Sequence, residues 1–274
     1  MRKTLAALAL SLAAFATSAS ALEIAVSPAR FMVDLDDKKR RTHAMEIVNT
    51  GGREVEVNVE LANFDLDENN EVREIPPTEQ SLDQWIAINP TRVVIPPQSR
   101  RTMRFAIRPQ VQPTPGEHRA MIFLNEGDQG HDGGGVSFRF RLGVVVYAQV
   151  GPAARTASLG QVALQQRGLG FQIENTGNAH ARFNGVFAVW DAASYPGDAE
   201  AQRLLAVSEA TRAPSEPVTA QGAVHAGILT QTPVMPGARR TIVQPLPPET
   251  MGGGKRIFML GKLGDAEIAR SFSF

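Results

Sequence analysis

Short runs of alternating apolar and polar residues, each cut off by proline, glycine, asparagine or aspartate, fill most of this 274-residue chain. A period of two puts alternate side chains on opposite faces of an extended strand, whereas a helix needs apolar residues three and four apart. Runs of the first kind lie at 24–26, 30–35, 43–48, 54–63, 85–89, 92–95, 101–109, 117–125 and 136–150. Few segments sustain the second period. Prolines fall between the runs, at Pro76-Pro77, Pro90, Pro96-Pro97, Pro113 and Pro115, where no ladder needs their missing N–H. The pattern predicts an all-β chain of the sandwich type with an immunoglobulin-like arrangement.

The second half repeats the first. IVNTGG at 47–52 returns as IENTGN at 173–178, IPPQSRRT at 95–102 as MPGARRT at 235–241, and GEHR at 116–119 as GGKR at 253–256. Three marks in one order point to an internal duplication. Asn-Thr-Gly is expected to end a strand in left-handed turn geometry, and Pro-x-x-Arg-Arg to lead a loop into the next strand. The chain therefore divides into two tandem β domains, 22–150 and 154–274, joined near Gly151-Pro152. The insert at 192–217 separates the first two marks of the second domain and reads mostly as loop, with one or two helical turns at 199–205.

Residues 1–21 have a positive start at Arg2 and Lys3, an apolar middle, and the small residues Ala19-Ser20-Ala21. They read as a secretory signal peptide, with the remaining chain of about 250 residues exported. No later segment is long and apolar enough to insert in a membrane. Cysteine is absent, so an exported fold would rest on its core and hydrogen bonds alone. Lys plus Arg and Asp plus Glu number 28 each, which leaves no bulk field to favour nucleic acid. DLDDKKRR at 34–41 reads as a solvated hairpin.

Catalysis needs polar groups that converge. The five histidines are scattered singly, and no H-E-x-x-H, G-x-S-x-G or phosphate-binding glycine loop occurs. DLDENNEVREIP at 65–76 approaches a calcium loop but lacks the sixth-position glycine and has Pro76 where the bidentate glutamate belongs. It reads as an acidic hairpin loop. A binding protein without metal or cofactor is favoured over an enzyme.

The segment GGGVSFRFRLGVVVYAQVGP at 133–152 is the most distinctive strand. Val136, Phe138, Phe140 and Leu142 share one face, and Ser137, Arg139, Arg141 and Gly143 the other. That apolar face either completes the domain's own core or is kept for a partner.

Two tandem domains behind a signal peptide, with a long last strand in the first, resemble the PapD-like periplasmic chaperones of pilus and fimbria assembly. AVSPARFMV at 25–33 looks like the family's first strand. RRTMRFAIRP at 100–109 and GEHRAMIFLNEG at 116–127 look like the strands before its variable loop. The resemblance implies a periplasmic chaperone that donates its last strand to a secreted pilus-type subunit and passes it to an outer-membrane usher. Val136, Phe138, Phe140 and Leu142 would be the donated side chains. It also implies that two basic residues hold the client's C-terminal carboxylate. Arg30 matches the first. The second, a lysine in the family, is missing: the register places Gly143 there, and Arg141 or Arg139 on the same face would substitute. The alternative is a structural or adhesive secreted protein of tandem immunoglobulin-like domains that donates no strand.

Overall fold

The computed structural model describes residues 23–37, 42–67, 69–127 and 139–274. The expected signal peptide, the basic half of the 34–41 hairpin, Val136 and Phe138 lie outside the described residues.

Ten strands build the first domain: β1 (Ile24–Ser27), β2 (Arg30–Asp34), β3 (Thr42–Asn49), β4 (Val55–Leu66), β5 (Val72–Ile75), β6 (Ile86–Asn89), β7 (Arg92–Ile95), β8 (Ser99–Ile107), β9 (Gly116–Glu126) and β10 (Arg141–Val150). One sheet has the order β1-β3-β8-β6 and the other β2-β10-β9-β4-β5, with β7 also paired to β4. The first strand is thus split. The chain leaves one sheet at Ser27 and joins the other at Arg30. Alternate residues of both sheets, among them Met45, Ile47, Phe105, Ile122, Leu124 and Val146, fill the core between them.

The second domain follows with β11 (Ala157–Gln165), β12 (Gly168–Asn175), β13 (Phe183–Asp191), β14 (His225–Ile228), β15 (Arg239–Pro245), β16 (Lys255–Leu263) and β17 (Ala266–Ser273). Its sheets are β11-β12-β15 and β14-β13-β16-β17. They enclose Leu169, Phe171, Phe183, Phe187, Ile257 and Met259. This order repeats that of the first domain, β1-β3-β8 opposite β7-β4-β9-β10, so the duplication read from three short motifs extends to topology.

The motifs do more than turn the chain. Asn49 and Asn175 are both 0% exposed. The Asn49 side-chain amide donates to the carbonyls of Arg53 (2.7 Å) and Ile95 (3.0 Å), and its oxygen accepts the Gly51 N–H at 2.9 Å. Asn175 donates to Ala179 (2.9 Å) and Val234 (2.8 Å), and its oxygen accepts the Gly177 N–H at 2.9 Å. Each asparagine therefore pins the end of one strand to the start of the second mark. Thr50 and Thr176 tie the same corner to the incoming segment through Glu23 and Thr156. Gly177 is required because a Cβ there would collide with the Ala154 carbonyl. The left-handed geometry expected at Asn-Thr-Gly sits elsewhere, at Gln98 (φ 53°) and Gly237 (φ 72°), two residues before each arginine pair.

The insert corrects the sequence reading. It contains a 14-residue helix, α1 (Asp198–Thr211). Ala201 and Leu205 face Val186, Ala188, Trp190 and Phe258 on the outer side of the β13–β16 sheet. The apolar stripe is one or two residues wide, too narrow to stand out in the sequence. Packing on the sheet, together with the Glu200–Arg203 and Glu209–Arg212 ion pairs, stabilises the helix.

Replacing Asn49 or Asn175 by alanine leaves buried carbonyls and an amide without partners and should each cost about 2–3 kcal/mol, read from urea unfolding of the two variants. Leu205→Ala should cost about 2–4 kcal/mol through the cavity left beneath α1. A loss under a few tenths of a kcal/mol for either asparagine would contradict its role as a pin.

Candidate functional site

Strand β10 pairs with β9 along its whole length, from Arg141 opposite Asn125 to Val150 opposite Gly116. On its other side β2 runs parallel to it and covers only Val145 to Gln149. The Val145 N–H donates to the Ala29 carbonyl at 3.1 Å, and the Leu35 N–H to the Gln149 carbonyl at 2.9 Å. Odd-numbered residues of β10 therefore turn their backbone groups toward β2. By the same alternation the N–H and C=O of Arg141 and Gly143 point at an edge that no strand among the described residues pairs. The split first strand creates this edge, because β2 begins only at Arg30.

Along β10 the even residues face the core. Val144, Val146 and Ala148 are fully buried, while Phe140 and Leu142 are partly buried at its rim. Among the described residues the regular strand begins at Arg141, with Phe140 just outside it, and positions 136–138 of the expected strand lie outside the described residues. The described part of the proposed donor face thus packs against the domain's own core.

The odd residues face the second domain. Val145 and Tyr147 join Phe64, Leu66, Met121 and Phe123 in a cluster that Met235 of the second domain covers. Arg141 lies on this face with its guanidinium 3.4 Å from the centroid of Phe123. It donates to Glu74 (2.7 Å), Glu60 (3.1 Å) and Asn125 (3.2 Å). Slight burial opposes its charge, but the hydrogen bonds to the two glutamates more than offset this and raise its pKa. Arg30 is opposite Val145, four residues or about 13 Å further along β10. The structure does not bring Arg30 and Arg141 together, and it uses Arg141 to hold β10 to β4 and β5.

What lies near Arg30 is the domain junction. Met32 is 54% exposed and sits opposite Tyr147. The Tyr147 ring stacks on His180, centroids 4.2 Å apart, and the Arg182 guanidinium lies beside the Tyr147 hydroxyl. His180 Nδ1 is 2.6 Å from Glu117 Oε2, with only 5% and 1% of the two side chains exposed. The Glu117 N–H donates to the Asn178 carbonyl at 2.9 Å, and Arg240 donates to the Leu66 carbonyl at 2.8 Å. A cleft of about 410 Å³ opens here, lined by Met32, Asp34, Tyr147, Pro152 and Arg155 among others. Burial pushes the Tyr147 phenol above its ordinary pKa. Burial and the charge of Arg30 pull the Arg182 guanidinium down. Scattered in sequence, His180 and Arg182 carried no signal beyond standing just after the second Asn-Thr-Gly.

The remaining candidates are accounted for locally. Asp65 pairs with Arg119 at 3.2 Å, and Asp67 accepts the N–H groups of Asn69 and Glu71 to close the β4–β5 hairpin. Among the described residues no three His, Asp or Glu side chains cluster as metal ligands, and no helix is long and apolar enough to cross a membrane.

No family model matches the chain. No curated protein matches it either. Solved structures do. The class 5 fimbriae chaperone CfaA aligns with a TM-score of 0.50 and 8% identity, over 90% of this chain and 98% of that one. The YadV chaperone aligns with a TM-score of 0.47 and 10% identity, over 92% and 100%. The Pseudomonas aeruginosa CupB2 chaperone aligns with 0.46 and 12%, over 91% and 100%. At 8% identity the likeness to CfaA is one of fold: two tandem immunoglobulin-like β-sandwiches, shared with a fimbrial chaperone.

Proposed function

We propose that the protein is a periplasmic chaperone that holds a secreted, pilus-type β subunit by pairing a strand of that subunit with the open edge of β10, and releases it for outer-membrane assembly at an usher. The open backbone edge at Arg141 and Gly143 carries this reading. Shared fold with a fimbrial chaperone supports it.

The stagger of β2 also suggests a direction. A client strand running parallel to β10 along the open edge would meet β2 head to tail, and its last residue would lie at Ala29 and Arg30. Arg30 is exposed there, and a guanidinium suits a terminal carboxylate because it donates two parallel hydrogen bonds. Main-chain pairing would supply affinity. Further burial of Phe140 and Leu142, already at the rim of the core, would add up to about 1.5–3 kcal/mol for each side chain. The reading needs no cofactor and no catalytic step.

The packing of Phe140 and Leu142 on the domain's own core favours a second reading, a structural or adhesive protein whose β10 edge stays empty.

Mature protein used as bait on periplasmic extract separates the two. Wild type should retain a small β-rich secreted subunit, and Phe140→Glu, checked for folding by circular dichroism, should retain it about tenfold less well. Equal capture by both, or no subunit with either, contradicts strand pairing at β10 and favours the structural reading.

A further inference from the structure

We propose that His118 is a proton-dependent clamp: charged, and donating from both ring nitrogens, it fastens two loops of the first domain to the start of β9, and loss of the second proton frees one of them.

His118 lies on the core-facing side of β9, in line with Ala120, Ile122 and Leu124, and is 9% exposed. Its Nδ1 is 2.8 Å from the Gln80 carbonyl oxygen, and its Nε2 is 2.8 Å from the Thr114 carbonyl oxygen. A carbonyl oxygen only accepts, so each contact needs a hydrogen on the ring, and a neutral imidazole carries one. Either neutral tautomer sets a nitrogen lone pair against a carbonyl oxygen inside the protein, where an unmade hydrogen bond is costly. The imidazolium satisfies both carbonyls.

Burial alone disfavours the charge. The two carbonyl dipoles offset it, and so does Trp85, whose ring centroid lies 4.6 Å from that of His118 and whose indole favours a cation. The charged groups around the ring have other partners or face solvent. On β9, Glu117 turns to His180 and Arg119 to Asp65. In the 3-10 turn Leu82–Gln84, Asp83 is buried and accepts the Gln84 amide at 2.7 Å. Glu79 and Arg108 are exposed; the Glu79 carbonyl accepts the Trp85 indole N–H at 2.9 Å, and the Arg108 N–H donates to the Trp85 carbonyl at 2.7 Å. Among the described residues no carboxylate forms an ion pair with His118.

The Gln80 side chain ties the same two loops together. Its amide donates to the Gln112 carbonyl at 3.1 Å, and its oxygen accepts the Thr114 N–H at 3.1 Å. Glu117, next to His118 and on the opposite face of β9, meets the second domain at Asn178 and His180. The clamp thus acts on the strand end that supports the domain junction.

The test is urea unfolding of the full mature protein at about pH 6 and about pH 8, beside His118→Gln, which cannot titrate. The clamped state keeps a proton that the unfolded chain gives up as pH rises, so wild type should lose stability relative to the variant. Its unfolding constant, divided by that of the variant, should rise about tenfold between the two pH values. A ratio that stays constant or falls overturns the clamp. Nuclear magnetic resonance of wild type labelled with 15N-histidine decides the same point without a variant. Hydrogens on both nitrogens of the His118 ring at about pH 6 support the inference, and a hydrogen on one nitrogen alone overturns it.

Discussion

A β-sandwich must pair, solvate or cover the backbone groups along every strand edge. In this protein the sheet switch at Ser27–Arg30 decides how that is done. By giving β1 to one sheet and β2 to the other, a single segment closes both sides of the first domain. The same stagger leaves β2 half as long as β10, so no strand among the described residues pairs the free edge of β10's upstream half. The core supports that exposure: Val144, Val146 and Ala148 bury β10 firmly, while β9 pairs with it throughout. Arg141, stacked on Phe123 and hydrogen-bonded to Glu60 and Glu74, holds the open half against the sheet.

The second domain repeats the first and then diverges where the two meet. Both use a buried asparagine to lock a strand end to the turn that carries the arginine pair. In the second domain the segment after that lock, residues 178–180, docks on the start of β9 through Asn178 and His180. The following turn brings Met235 over Phe64 and Tyr147. A motif that shapes one corner of the first domain thus builds the domain junction in the second.

Much of the fold was legible because it rests on period-two alternation and turn residues. Apart from β5, which the sequence reading left inside an acidic hairpin loop, the described strands of the first domain fall within a few residues of their sequence positions, and the three repeated motifs mark equivalent corners. What the sequence hid depends on depth and register. Helix α1 buries too narrow a stripe to show a helical period. The asparagines look like turn formers until their burial is known. Arg30 was legible by its place in the first strand, but its neighbourhood was not. Arg141 shares its strand face yet stands four residues away along β10 with acids around it. Val136 and Phe138 lie outside the described residues, so the donor face is known only at Phe140 and Leu142.

Amide hydrogen exchange along β10 of the mature protein, free and with a strand-forming peptide, tests the central claim most directly. The account predicts that the N–H groups of Arg141 and Gly143 exchange much faster than those of Val145 and Tyr147 in the free protein, and become protected when the peptide is present. Protection of Arg141 and Gly143 already in the free protein, or no change on adding the peptide, would contradict an edge kept open for a partner strand.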